Sequence, residues 1–270
     1  MAPSTAAVYR CAYALPALAL LAVWERRRFG PRATGQQRLA WLAGLLFAVD
    51  LIAWHHCIAA VGAGLATVLG NVQVVIVPLV AWAILQERPY ARVLASVPVV
   101  FVGVVLISGL IGADAYGDEP MLGVVFGIVT ALAYSAFILV LRAGNRDLRR
   151  PAGPLFDATL AATLGSLLIG VPLGELDLRP TWPEHGWLVA LALSSQVAGW
   201  LLISVALPRV PAALTSVVLM FQPAAAVVLA VLLVDENPSA LQFLGVAVVL
   251  GGVVLATAER GGGRPREAET

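Results

Sequence analysis

From Val61 to Leu85 the chain carries no charged side chain, and then Glu87, Arg88 and Pro89 arrive together. An apolar run of that length can cross the hydrocarbon core of a bilayer as a helix, and such runs recur along the chain. Hydrophobic residues make up 60% of it and charged residues 12%, about half the charged share usual in soluble domains. The runs are continuously apolar and lack the period-two alternation of a transmembrane barrel. The expected fold class is an all-α polytopic membrane protein. A formal net charge of +1 implies no strongly acidic or basic partner.

Nine apolar segments stand out, at about 7–24, 39–60, 63–85, 93–112, 121–141, 155–173, 187–207, 212–234 and 241–258. Most connections are short, which suits antiparallel neighbours and leaves no room for a domain outside the membrane. The N-terminus lacks a basic stretch before its apolar run and does not read as a signal peptide. The Gly-rich, charged tail over 259–270 is expected to be disordered. Cys11 and Cys57 lie inside apolar segments and form no spaced framework, so they read as small buried residues rather than a disulfide or metal site.

Arginine sets the orientation. All 17 basic residues are Arg, a usage that suits a GC-rich bacterial genome without any physical requirement. Arg26, Arg27, Arg28, Arg32, Arg38, Arg88, Arg92, Arg142, Arg146, Arg149, Arg150, Arg209, Arg260, Arg264 and Arg266 fall on one side, and only Arg179 on the other, with Arg10 inside the first segment. The rule that basic loops stay in the cytoplasm then gives a multi-pass plasma-membrane protein with a cytoplasmic C-terminus. Trp24, Trp41 and Trp82 at one end and Trp182 and Trp187 at the other form the expected interfacial belts.

The run into Glu87 has a partner further on. A shift of 149 residues places Glu87 on Glu236, Pro89 on Pro238, Gln73 on Gln222, and "GVVL" at 103–106 on "GVVL" at 252–255, without a gap. Such a run of matches indicates an internal repeat. Glu87 falls at the cytoplasmic face and Glu236 at the opposite one, so the halves are inverted, as in many secondary transporters. The expected units are 1–114, with four helices, and 115–258, with five. Two inverted repeats of five then leave the first helix missing from the chain.

These features carry a resemblance. The Pro-then-Glu ending of the fourth helix in each half, Pro78 with "QERP" and Pro223 with "DENP", is similar to the EamA-type members of the drug/metabolite transporter superfamily, as is "GAGLATVLGNVQVVIVPLVAWAILQERP". The resemblance covers essentially all of 7–258. It implies a ten-helix fold and transport of small organic molecules, and it says almost nothing about the substrate.

Glu87 and Glu236 sit where one helix ends and the next begins, with Pro89 and Pro238 suited to a first-turn position. Each Glu reads as capping the next helix and pinning a tight corner. Asp50 differs, because it lies mid-helix at bilayer depth, where a charge costs about 2.5–3.5 kcal/mol on insertion scales. It must face the bundle interior, either as an ion-coupling or substrate-binding carboxylate or as a neutral hydrogen-bonding group. His55 and His56 follow, pointing about 100° apart on a helix. They fit gating, proton relay or packing, and they lack a metal-site pattern. Asp50 with Trp54, and Gln196 with Trp200, share a helix face at i,i+4, as a cavity for an organic solute or as bundle core. Asn71, Gln73 and Gln222 are amides able to bond across helices or to touch substrate, and Gly123 with Gly127 is a close-packing pair. Arg10 could hold a substrate carboxylate or snorkel to the interface.

No catalytic or phosphate-binding motif appears. The expected function is a secondary active transporter, an exporter, of small organic metabolites or drugs by alternating access. Its partners are a small-molecule substrate and membrane lipid, with a homodimer left open and no nucleic acid, metal or cofactor. The alternatives are an intramembrane enzyme using Asp50 with His55 or His56, and a non-transporting membrane subunit.

Overall fold

The structure, a computed structural model, describes residues 1–86, 88–111, 114–145, 147, 149–179, 181–206 and 212–257, without the side chains of 81, 84, 85, 206 and 212–220. Glu87, Arg146, Arg209 and the tail with Arg260, Arg264 and Arg266 lie outside the described residues. Among the described residues all regular structure is helical: α1 (Pro3–Phe29), α2 (Thr34–Val61), α3 (Ala63–Gly70), α4 (Gln73–Leu85), α5 (Ala91–Ile107), α6 (Pro120–Gly144), α7 (Ala152–Leu173), α8 (Glu184–Leu191), a π-helical segment (Ala192–Gly199), α9 (Trp200–Ala206), α10 (Ala212–Val234) and α11 (Ala240–Thr257). Among the described residues seven spans are long and apolar enough to cross a membrane, and Ala91–Ile107 and Phe221–Val234 are shorter apolar helices. Together they correspond to the nine apolar segments of the sequence.

Two of those segments are interrupted. The third breaks at Asn71–Val72 into α3 and α4. Asn71 donates its side-chain N–H to the Thr67 carbonyl at 2.8 Å, so this amide serves its own helix and not a neighbouring one. The seventh passes through the π-helical segment between α8 and α9.

The bundle core forms where α2 packs on α6 and α7, α1 on α7, and α5 on α11. The α5–α11 crossing is antiparallel and close. A Cβ on Gly103 would stand 2.6 Å from Val249 Cγ2, and one on Gly245 would stand 2.8 Å from the Gly103 carbonyl. Ile107, Val249 and Val253 are fully buried at this crossing. Two of the spans are unequally covered: α2 is largely buried, whereas the span Glu184–Val205 is mostly exposed. The difference follows from α6, which packs along α2 while no element among the described residues packs comparably along α8 and α9.

The Glu236 corner is built differently from the sequence expectation. Its carboxylate does cap a helix, but that helix is α3 across the bundle rather than the following α11: it accepts from Ala63 N–H and from Gly64 N–H, the latter at 3.1 Å. Gly62 makes this approach feasible. Its φ is +85°, and a Cβ there would stand 2.6 Å from the Glu236 carboxyl carbon. The start of α11 is served instead by a capping box, in which Gln242 Oε1 accepts from Ser239 N–H and Gln242 N–H donates to Ser239 Oγ. The fully buried Gln242 also donates to the carbonyls of Ile107 and Tyr116, tying α11 to the end of α5.

The same device recurs twice. Glu25 at the end of α1 accepts from Ala152 N–H and Gly153 N–H at the start of α7, at 2.9 and 2.8 Å. Glu175, just after α7, accepts from Ser4 N–H at 3.3 Å and Ser4 Oγ–H at 2.5 Å at the start of α1. The antiparallel pair is thus fastened at both ends by a carboxylate on a helix N-terminus, where the backbone partial charge favours an anion.

The tryptophans divide by exposure. Trp24, Trp41, Trp82, Trp182 and Trp187 are exposed, while Trp54 and Trp200 are half-buried. At the Arg-rich end, Arg32 pairs with Asp157 and Arg150 donates to the carbonyls of Phe29 and Gly30.

Candidate functional site

The polar residues buried at mid-bundle converge from four helical elements. Arg10 on α1 is only 7% exposed and Asp50 on α2 only 5%. Arg10 is enclosed by the bundle and does not snorkel to the interface. Its guanidinium carbon lies 5.4 Å from the centre of the Trp54 ring, a cation–π contact that gains strength in a desolvated setting. One guanidinium nitrogen donates to Ser195 Oγ in the π-helical segment at a long 3.4 Å, and the buried Nε has no hydrogen-bond partner. Asp50, Arg10 and the Tyr134 hydroxyl of α6 are within electrostatic reach of one another. The four ion pairs within 4 Å among the described residues do not include Arg10 or Asp50.

The two histidines separate as their 100° offset requires. His55 Nδ1 lies 2.6 Å from the Leu51 carbonyl. A carbonyl only accepts, so Nδ1 carries a proton. His55 also packs edge-on to Trp54 and is within electrostatic reach of Arg10. His56 turns to α6 and the far end of α7, stacking on Phe126 at 4.7 Å and placing Nε2 3.1 Å from Glu175 Oε1.

An aromatic box adjoins this group. Trp200 packs on Phe47, Tyr134 and Phe137, with ring centres 5.3–6.2 Å apart. Phe47 stacks on Phe137 at 4.5 Å. Tyr134 links the two groups, its ring in the box and the residue within electrostatic reach of Asp50 and Arg10. The π-helical segment positions Ser195, and such segments occur frequently at functional sites. Gln196, the next residue, is fully buried and donates to Thr159 Oγ1 at 3.3 Å, while its Oε1 is unpartnered.

The structure brings together Arg10, Asp50, Trp54 and His55, with Trp200 reached through Tyr134. Gln196 lies beside the group in the α7 contact. Gln73 is half-buried at the start of α4, with an unpartnered buried Oε1, and Gln222 is exposed; neither has a hydrogen bond to the group. Gly123 and Gly127 sit against Val61 and Leu69, and Cys57 donates its S–H to the Gly123 carbonyl at 3.1 Å. Both cysteines are free and buried. Among the described residues, no group of three or more His, Cys, Asp and Glu side chains could hold a metal. Sequence reasoning missed Tyr134 and Ser195, which sit in apolar runs with no spacing signal. It also missed Glu25, Glu175 and Gln242, although the Ser-x-x-Gln spacing of Ser239 and Gln242 was legible.

The model of the EamA-like transporter family matches residues 1–109 and 121–258. The chain belongs to this family. It is also similar to the "Uncharacterized transporter YxxF" of Bacillus subtilis (strain 168), 24% identical over 179 residues, which are 66% of this chain and 56% of that protein. The chain therefore matches little more than half the length of that relative. A crystal structure superposes with a TM-score of 0.62 at 18% identity, covering 95% of this chain and 89% of the other, a likeness of fold alone. Family and fold together make this a multi-pass membrane protein of a transporter family.

Proposed function

We propose that this EamA-like protein is a secondary active transporter that exports small organic metabolites or drugs across the bacterial plasma membrane by alternating access. Its units are two inverted halves, 1–114 and 115–258. The observation that carries this reading is the buried Arg10–Asp50–Trp54–Tyr134 group. It lies between α1 and α2 of one half and α6 and the π-helical segment of the other, where an inverted-repeat transporter holds its substrate.

The packing supports the two halves. The 149-residue shift maps α1 onto α7 and α5 onto α11, and each pair packs antiparallel. It maps Gly153, capped by Glu25, onto Ser4, capped by Glu175. It also maps Ser96 and Gly103 of α5 onto Gly245 and Gly252 of α11, at the same crossing. The open side of α8 and α9 is the position that the repeat assigns to an equivalent of α6.

An intramembrane enzyme would need Asp50 to work with a histidine. Neither histidine bonds Asp50: His55 is engaged with Leu51 and His56 with Glu175. The test is solute flux in proteoliposomes containing the purified chain, using radiolabelled amino acids, organic acids, sugars and cationic drugs. Gradient-driven accumulation of any of them supports the reading. No flux, together with turnover of a lipid or peptide substrate, overturns it in favour of an enzyme.

A further inference from the structure

The buried guanidinium of Arg10 is poorly satisfied. Among the described residues its polar contact is the long bond to Ser195, its Nε is unpartnered, and no carboxylate is within ion-pair distance. Asp50 is equally buried, and it too lacks a counter-charge in contact. A guanidinium presents a planar fork of donors that matches a carboxylate. An uncompensated charge at this depth is costly, so a ligand that brings the missing anion gains what the apo protein lacks. The Trp54 ring lies against the guanidinium and holds it in place beside the site.

Resting on the transport reading above, we propose that the carried solute is a small organic acid whose carboxylate is bound by Arg10, and that it competes with the Asp50 carboxylate for this guanidinium. Two carboxylates cannot both be well compensated by one cation in a low-dielectric site. Binding of the acid anion and ionisation of Asp50 therefore oppose each other. A proton from solvent neutralises an ionised Asp50 as the anion binds, so the loaded site holds one cation and one anion. The other groups facing the pair are His55 on α2, Tyr134 on α6 and Ser195 in the π-helical segment. Linkage makes the effect reciprocal: anion affinity falls as pH rises, and bound anion promotes protonation.

The experiment uses the full chain in detergent and in proteoliposomes. The probes are acetate, hexanoate, benzoate and phenylacetate, with their neutral amides as controls, read by tryptophan fluorescence between about pH 6 and 9, where free carboxylates stay ionised. At least one acid is expected to bind more tightly than its amide, with affinity falling as pH rises. Arg10→Gln is expected to weaken it by about tenfold or more, as for loss of a hydrogen bond to a charged group. Asp50→Asn removes the competitor. It is expected to bind the acid as tightly at high pH as the parent does at low pH, with a flat profile, a gain that a folding defect would not produce. The proposal is overturned if no acid binds, if amides bind as well as acids, or if Asp50→Asn leaves the pH profile unchanged. Flux of a sugar or a cationic drug in vesicles whose protein binds none of the acids would leave the transport reading standing and remove only the organic-acid site.

Discussion

Replacing Glu236 with Ala should loosen the fold without touching the mid-bundle group. The carboxylate is 4% exposed and accepts from two backbone N–H groups at the start of α3. Removing a capping side chain costs about 0.5–2 kcal/mol. Here the acceptor is charged and the donors are shielded, so two charge-assisted bonds are lost and two N–H groups are left without partners. The combined cost is about 2–4 kcal/mol. At roughly 2–4 °C per kcal/mol for a chain of this size, thermal unfolding in detergent should fall by about 5–15 °C. Glu25→Ala should behave alike, because Glu25 is 6% exposed and caps α7 with the same two-bond geometry. Gly62→Ala should reproduce the Glu236 defect, since its Cβ would collide with the carboxylate, and the double variant should be less than additive. If Glu236→Ala and Glu25→Ala were as stable as the parent yet unable to transport, these carboxylates would belong to the transport chemistry and the capping argument would fail.

Asp50→Asn should abolish proton-gradient-driven flux in proteoliposomes while leaving expression and thermal stability largely intact; flux that keeps its full dependence on the gradient would make Asp50 structural. Trp54→Ala should weaken ligand binding, because the Arg10 guanidinium loses the ring that holds it in place, and Trp200→Ala should disturb a different part of the ligand-induced fluorescence change; unaltered affinity in both would remove the indoles from the site. Gly103→Leu should prevent close approach of α5 to α11 and lower thermal stability in detergent, and a variant as stable as the parent would refute the crossing. In the loop after α6, hydrogen bonds from the Arg149 side chain and backbone hold Asp147 down to about 2. Its folded value lies below the unfolded one of about 3.9, so the pairing is complete above that value and is lost as pH falls through about 2. A carboxyl NMR titration with a midpoint near 4 would contradict it.

The spans were legible because a bilayer allows little else for uncharged runs of this length. The boundaries moved by a few residues, as at α1, where Arg26–Arg28 extend the helix beyond the apolar run. The breaks were not legible. Asn71–Val72 and the π-helical segment arise inside continuous apolar stretches, where the only hints were "GN" and "SSQ". Asp50, Trp54 and Arg10 could be found because polar and aromatic side chains at bilayer depth are conspicuous. Tyr134 and Ser195 could not, since a hydroxyl in an apolar helix is ordinary until its neighbours are known. The caps show a different limit. "DENP" marks a carboxylate at a helix end, but the N-terminus that Glu236 serves is 173 residues away in sequence, and only the fold brings it there.

The proposed repeat separates what belongs to the scaffold from what belongs to the site. Under the 149-residue shift the small residues of the α5–α11 crossing map onto small residues, and capped helix starts map onto capped helix starts. The mid-bundle group does not follow this rule. Arg10 maps onto Thr159, Asp50 onto Gly199 and Trp54 onto Ile203, while Trp200 maps back onto Leu51. Both charges therefore come from the first half, and the second half supplies neutral groups, the hydroxyls of Ser195 and Tyr134 and the ring of Trp200. Under the proposed transport reading, a repeated scaffold would let the site face either side, as alternating access requires. An asymmetric site would then give the solute one orientation, its charged end toward α1 and α2 and its apolar end toward the aromatic box. Capping residues should therefore set how readily the halves rock, and Arg10 and Asp50 should set what is carried.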